Sequence, residues 1–199
     1  MNKTFRIAVL ASTNGTDPQA IIDEMKAGQM PGIELACVLS NKKSAYALER
    51  AKEQGYESIF IDPENKTREE FDAEMAKILE KHEIDLIVLV GYMRILSEEF
   101  VKRFPNKIIN VHPALIPKFC GPNFFGTSVH EEVLKAGETE TGMTIHYVDE
   151  GCDTGKIILQ KTCPVTPDDT PDTLKDKVQT LEKKWYPEVI RQLAEKNEK

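Results

Sequence analysis

The sequence predicts an α/β fold built on a mostly parallel sheet, and three observations predict it. Residues 6–11 (R-I-A-V-L-A) and 85–90 (D-L-I-V-L-V) are nearly continuous apolar runs, the pattern of inner parallel strands buried on both faces. Such runs alternate along the chain with stretches of helical periodicity, the order expected of βαβ units. The polar stretches between them carry helix-start signals at Asp17-Pro18, Thr67-Arg68-Glu69-Glu70 and Ser97.

The first strand, 6–11, leads into Ser12-Thr13-Asn14-Gly15-Thr16-Asp17-Pro18 and then a helix over 19–26, with Asp17 as N-cap and Pro18 as the first helical residue. A strand, a polar glycine loop and a helix N-terminus can gather backbone N–H groups around an anion; an ordinary βα turn looks the same. A second strand spans 33–39, and a helix over 44–54 stops at Gly55. A short third strand covers 58–61, and the capping box at Thr67 opens a helix to about His82. The fourth strand, 85–90, runs into Gly91-Tyr92-Met93-Arg94-Ile95-Leu96, after which Ser97 caps a short helix. The β-branched residues Ile108, Ile109 and Val111 make a fifth strand, which Pro113 ends near His112.

Beyond Pro117 the pattern changes. Residues 118–127 form a loop with Phe124 and Phe125, and 128–135 a short helix. Strands over 144–148 and 156–162 flank the loop 149–155, and a long amphipathic helix begins at Thr170, with a kink or break expected at Pro187. The whole reads as a Rossmann-like, mostly parallel sheet flanked by helices, with a C-terminal antiparallel extension and a long C-terminal helix. Without repeats or a clear linker, residues 1–199 read as a single domain.

Net charge is −7 and 30% of the 199 residues are charged, which argues against partners such as nucleic acid or an anionic membrane. Small-molecule substrates are expected instead. The N-terminus enters a strand directly, with no apolar run long enough for a signal peptide or a membrane span. Cys37, Cys120, Cys152 and Cys163 include no C-x-x-C pair, so free thiols in the cytoplasm are expected, and no metal site. A monomer or a homodimer is equally compatible with the sequence.

Side chains alternate along a strand, so Asn110 and His112 project from one face at the end of the fifth strand. Ligands of open α/β sheets collect there. An amide and an imidazole at that place can donate hydrogen bonds to an oxyanion and move a proton; a core histidine beside a turn-forming asparagine explains the same residues. Asp153 sits in a tight loop near glycines, where its carboxylate can orient His112 and favour the imidazolium, or simply bond its own backbone. His146, in mid-strand, reads as a satisfied histidine; His82 and His130, on a helix end and a surface helix, receive no role. The run 92–96 can line a slot for a flat ring or merely pack, and Glu182 on the last helix can be a solvated acid.

Asn110-Val111-His112-Pro113-Ala114-Leu115-Ile116-Pro117 resembles the N-x-H-P-S-L-L-P signature of the folate-dependent formyltransferases. The resemblance continues through Gly91–Leu96, Thr141–Val148, Asp153-Thr154-Gly155 and Ile157–Gln160, and so covers nearly the full chain. Length and start are most similar to the family's purine-synthesis members. Members that formylate methionyl-tRNA carry an extra C-terminal domain, and those that hydrolyse formyl-tetrahydrofolate an extra N-terminal one; these 199 residues leave room for neither.

The resemblance implies an activity. The amine of glycinamide ribonucleotide attacks the formyl carbon of the co-substrate 10-formyltetrahydrofolate through a tetrahedral intermediate, without a metal. It implies Asn110, His112 and Asp153 as catalytic residues. It places the nucleotide at Gly15, Thr16, Asp17, Pro113 and Glu182, with phosphate on the loop and ribose on Glu182. It places folate at Arg68, Tyr92, Met93, Arg94, Ile95, Leu96, Asn110, Asp149 and Asp153, with Arg68 near the glutamyl tail. Residues 1–112 become a nucleotide-binding half and 113–199 a folate-binding half.

Three departures stand out. Ser12–Asp17 replaces the common S-G-x-G-S-N, and an acid at Asp17 repels phosphate unless its carboxylate turns away. Ala114 stands where serine is usual, and the loop 118–127 is longer than in short family members. A formyltransferase acting on another amine, such as an amino-sugar nucleotide, would differ at these places. A non-catalytic nucleotide-binding module would leave Asn110, His112 and Asp153 without a job.

Overall fold

The computed structural model describes residues 4–12 and 16–197, with Thr16 and Asp17 described by backbone alone. The strands are β1 (Phe5–Ala11), β2 (Ile33–Ser40), β3 (Ser58–Phe60), β4 (Leu86–Val90), β5 (Ile108–His112), β6 (Glu140–Tyr147) and β7 (Ile157–Pro164). The helices are α1 (Thr16–Lys26), α2 (Tyr46–Glu53), α3 (Arg68–Lys81), α4 (Glu98–Arg103), α5 (Thr127–Lys135) and α6 (Pro171–Asn197). One seven-stranded sheet runs β3-β2-β1-β4-β5-β6-β7. The first five are parallel to their neighbours, while β5–β6 and β6–β7 pair antiparallel. The predicted sheet and its antiparallel extension are therefore present.

The strand period of two divides the core into two layers. Ile7, Val9 and Ala11 face one cluster, with Ile21, Ile22, Ala47, Ala51, Val178 and Tyr186 from α1, α2 and α6. Ala8 and Leu10 face the other, with Phe71, Met75, Leu79, Phe100 and Phe104 from the α3–α4 side. The capping box predicted at Thr67 forms in full, and Ser97 accepts the Phe100 N–H.

Two elements differ from expectation, and a third narrows it. α1 begins at Thr16, so Asp17 lies in the first turn rather than at the N-cap, a place where an acid suits the helix dipole. β6 starts at Glu140, earlier than the expected residue 144, because Thr141 and Gly142 pair with Cys163 and Thr162 of β7. Of the kink or break expected at Pro187, the break is absent: Pro187 lies buried inside a continuous helix. The Lys183 carbonyl loses its helical donor there, and Lys183 is exposed, so water can replace the missing N–H.

Sheet order reverses between β1 and β4, the switch point at which open sheets receive ligands. The β4–β5 pairing ends at Leu89↔Asn110. There the buried Tyr186 hydroxyl lies 2.9 Å from the Leu89 carbonyl and 3.1 Å from that of Ile109, so α6 clamps the two strand ends that frame the crevice. Among the described residues, no helix is long and apolar enough to cross a membrane.

Candidate active site

A cavity of about 660 Å³ opens at these strand ends. Its walls come from the segment after β4, the end of β5, the loops before α5 and after β6, and one face of α6.

The floor is β5. Antiparallel pairing sets Asn110 opposite His146 and His112 opposite Thr144. The buried Thr144 hydroxyl donates to the Ala114 carbonyl at 2.7 Å and accepts the Ile116 N–H at 3.1 Å, while Gln160 Nε2 donates to Thr144 and to the Ile116 carbonyl, each at 2.9 Å. This network fixes the chain reversal after His112.

Asp153 comes from the loop after β6 and adopts φ 58°, a left-handed conformation that Asp tolerates. A Cβ on neighbouring Gly155 would run into the Tyr147 carbonyl, so the loop can fold back this tightly only on glycine. Asp149 Oδ1 accepts the Thr154 hydroxyl at 2.6 Å and the Gly151 N–H at 3.0 Å, stapling the loop internally.

The three residues singled out in the sequence meet. Asp153 Oδ2 lies 3.4 Å from His112 Nδ1 and accepts the Gly121 N–H at 3.0 Å. Its Oδ1 lies 3.5 Å from His146 Nε2, and Asn110 Nδ2 lies 3.3 Å from the same nitrogen. Burial works to raise the Asp153 carboxyl, but hydrogen bonds from His146 and Gly121 and the charge of His112 outweigh it and hold it below the usual carboxylate range.

His112 faces acceptors on both ring nitrogens, the Phe119 carbonyl at 2.7 Å from Nε2 and Asp153 at Nδ1. Those partners favour the imidazolium. Burial opposes them and wins, so His112 titrates below its ordinary value. The expected preference for the charged form is thus offset in this state, because His112 is only 4% exposed and desolvation penalises the cation.

His146 is the satisfied strand histidine expected of it, and it also touches two of the candidate residues. It is buried, and its Nδ1 lies 2.8 Å from the Tyr147 carbonyl. A carbonyl only accepts, so Nδ1 carries a proton, and Nε2 faces both the Asn110 amide and the Asp153 carboxylate. The Asn110 amide is thereby held against the ring at the edge of the cavity. The signal was in the sequence: Thr144 and His146 share a strand face, as Asn110 and His112 do.

The segment 92–96 is pinned at both ends. Ser12 Oγ accepts the Met93 N–H at 3.0 Å, and Asp72 Oδ2 accepts the Ser97 N–H at 2.6 Å. Leu96 is buried and Arg94 stacks over Phe71 at 4.3 Å, while Met93 and Ile95 stay exposed on the cavity rim. Burial pushes the Tyr92 hydroxyl above its ordinary range. Pro113, Asp149 and Glu182 also line the cavity, and Glu182 is buried rather than solvated. Arg68 does not line it; it stands at the start of α3, half exposed and 3.3 Å from Glu69. His130, which the sequence placed on a surface helix, is buried against the cavity.

Gly15 lies outside the described residues, as do the side chains of Thr16 and Asp17, so the carboxylate orientation expected for Asp17 also falls outside them. All four cysteines are free thiols. Among the described residues, no group of three or more His, Cys, Asp or Glu is placed to hold a metal ion.

The sequence and the fold are shared with known proteins. The family model described as formyl transferase matches residues 5–190. The chain is 39% identical to a phosphoribosylglycinamide formyltransferase of Haemophilus influenzae, over 96% of this chain and 87% of that protein. It is 40% identical to the trifunctional purine biosynthetic protein adenosine-3 of Drosophila pseudoobscura pseudoobscura, of which it spans 14% of the length. Among solved structures, glycinamide ribonucleotide transformylase 1 of Symbiobacterium toebii superposes with a TM-score of 0.90 at 39% identity, covering 96% of this chain and 88% of that one. With the family model spanning every element from β1 to most of α6, and with relatives this similar along their common length, the chain belongs to the formyl transferase family.

Proposed function

We infer that this protein transfers the formyl group of 10-formyltetrahydrofolate to the amine of glycinamide ribonucleotide; its relatives' names give formyl transfer to that nucleotide, and the folate donor follows from the motif resemblance. The observation that carries the reading is the meeting of Asn110, His112 and Asp153 on one wall of the cavity. In the reaction a bond forms between the amine nitrogen and the formyl carbon, and the bond from that carbon to the folate nitrogen breaks. The amine gives up a proton and the folate nitrogen gains one.

In this reading Asn110 offers an amide hydrogen to the oxygen of the tetrahedral intermediate, and His112 offers Nε2–H once the Phe119 carbonyl withdraws. Such donors are typically worth about 3 kcal/mol each to the transition state. Asp153 stabilises the imidazolium that forms and helps relay the amine proton. Holding both substrates in one cavity supplies much of the remaining acceleration.

Folate occupies the slot of Tyr92, Met93, Arg94, Ile95 and Leu96 with Asp149 opposite, and Arg68, outside the cavity, meets its glutamyl tail. The nucleotide takes Pro113 and Glu182, with its phosphate at Gly15, Thr16 and Asp17. Residues 1–112 are chiefly the nucleotide half and 113–199 the folate half, although the slot 92–96 and Glu182 each serve the other. We place the enzyme in the cytoplasm, working on small molecules without nucleic acid, membrane or metal, as a monomer or homodimer.

The test is direct. The protein is mixed with 10-formyltetrahydrofolate and glycinamide ribonucleotide, and absorbance is followed as the folate product forms. Turnover with that amine is expected. Transfer to an amino-sugar nucleotide in its place would overturn the reading.

A further inference from the structure

His130 is the buried titratable group in this cavity that the chemistry above leaves unused. It stands on α5, is 2% exposed, and lines the cavity, and its Nδ1 has no hydrogen-bond partner among the described residues. A buried polar nitrogen without a partner is costly; a half-turn of the ring exchanges Nδ1 with a carbon and lets substrate in the cavity that His130 lines supply the partner. α5 packs on α6, and Lys175, Gln179 and Glu182 present one face of α6 to the same cavity. Their spacing of four and three residues puts them in one stripe. His130 feels the charge of Lys175 on that wall and of His112 at the reacting centre. It is therefore within electrostatic reach of both the end of the cavity where bonds change and the wall that carries Glu182.

We propose that His130 binds the glycinamide linkage of the nucleotide, the amide between the ribose and the carbon bearing the reacting amine. The inference rests on the substrate reading above and goes beyond it by assigning the one part of that substrate which no residue has yet met. A secondary amide offers one donor and one acceptor, and so does a neutral imidazole. Burial first, then Lys175 and His112, push His130 down to about 4, which keeps it neutral where the enzyme works. The ribose hydroxyls are better served by Glu182, whose carboxylate only accepts, and the phosphate by backbone donors and cations.

The experiment measures calorimetric affinity for glycinamide ribonucleotide and for ribose 5-phosphate, which lacks the amide, together with steady-state kinetics. His130→Phe and His130→Leu remove both nitrogens with different shapes, and whichever keeps the wild-type melting temperature is read. Affinity for glycinamide ribonucleotide is expected to fall about tenfold. Ribose 5-phosphate affinity and the KM for the formyl donor should stay within about twofold. His130→Asn, whose amide reaches the place of Nδ1, should recover most of the loss. Equal losses for both ligands, or none, would overturn the proposal. Wild-type turnover is scored separately: its absence with glycinamide ribonucleotide removes the substrate reading, whereas normal turnover with unaffected variants removes only the role of His130.

Discussion

The carbonyl oxygen of Phe119 lies 2.7 Å from Nε2 of His112. The donor proposed for the reacting oxygen is thus already engaged, by a loop residue with φ 51°. The loop 118–127 and the substrate compete for one N–H, and binding must displace the carbonyl before His112 can act. His112→Ala removes the donor and leaves the nucleotide contacts untouched. Turnover should fall about a hundredfold or more, with nucleotide affinity by calorimetry nearly unchanged; an effect confined to KM would contradict the role.

Asp153 holds two histidines and the Gly121 N–H at once. Asp153→Asn keeps an oxygen for Gly121 but removes the charge that stabilises an imidazolium. The rate should collapse by about a hundredfold or more while the melting temperature moves little. Near-wild-type activity would take Asp153 out of the chemistry.

His146→Leu preserves bulk but leaves the Asn110 amide without the ring nitrogen that lies 3.3 Å from it. The amide can then rotate away from its productive orientation. A fall in kcat of about tenfold or more is expected, with the KM for the formyl donor changed far less. Unaltered kcat would show that Asn110 is held by other means.

Tyr186→Phe leaves two buried carbonyls, of Leu89 and Ile109, without the hydroxyl between them. Loss of that contact should cost about 1–2 kcal/mol of stability in urea denaturation. An unchanged midpoint would mean the strand ends do not need the clamp.

Stability should fall on mild acidification. His130 titrates near 4 in the folded chain against 6.5 ordinarily. Between those values the unfolded chain takes up a proton that the folded chain refuses, so stability present at neutral pH is lost as pH drops. From pH 7 to pH 5 the wild type should lose about 2 kcal/mol more than His130→Asn, which cannot titrate there. His112, also lowered by burial, contributes in the same direction in both proteins. Parallel pH profiles would remove His130 as the cause.

Much of this was legible in the residues. Continuous apolar runs marked the inner strands, because burial on both faces leaves no polar alternation, and Pro113 marked where β5 stops. Asn110 and His112 could be paired because a strand's period is two. Legibility ended where the partner came from elsewhere in the chain. The role of His146 depends on the β5–β6 register, and the burial of His130 on how α5 lies against α6. Thr141 and Gly142 became strand because β7 offered them hydrogen bonds, not because of their own preference. Pro187 leaves α6 unbroken for a related reason: packing around a long helix outweighs one lost hydrogen bond.

The Tyr186 clamp has a temporal side. The hydroxyl that bridges Leu89 and Ile109 follows them by 97 and 77 positions. On the ribosome, a nascent chain that has emerged as far as β7 carries Asn110, His112, His146 and Asp153, yet the strands beneath them still lack their fastener. Competence for catalysis is then gained only once α6 has emerged and docked.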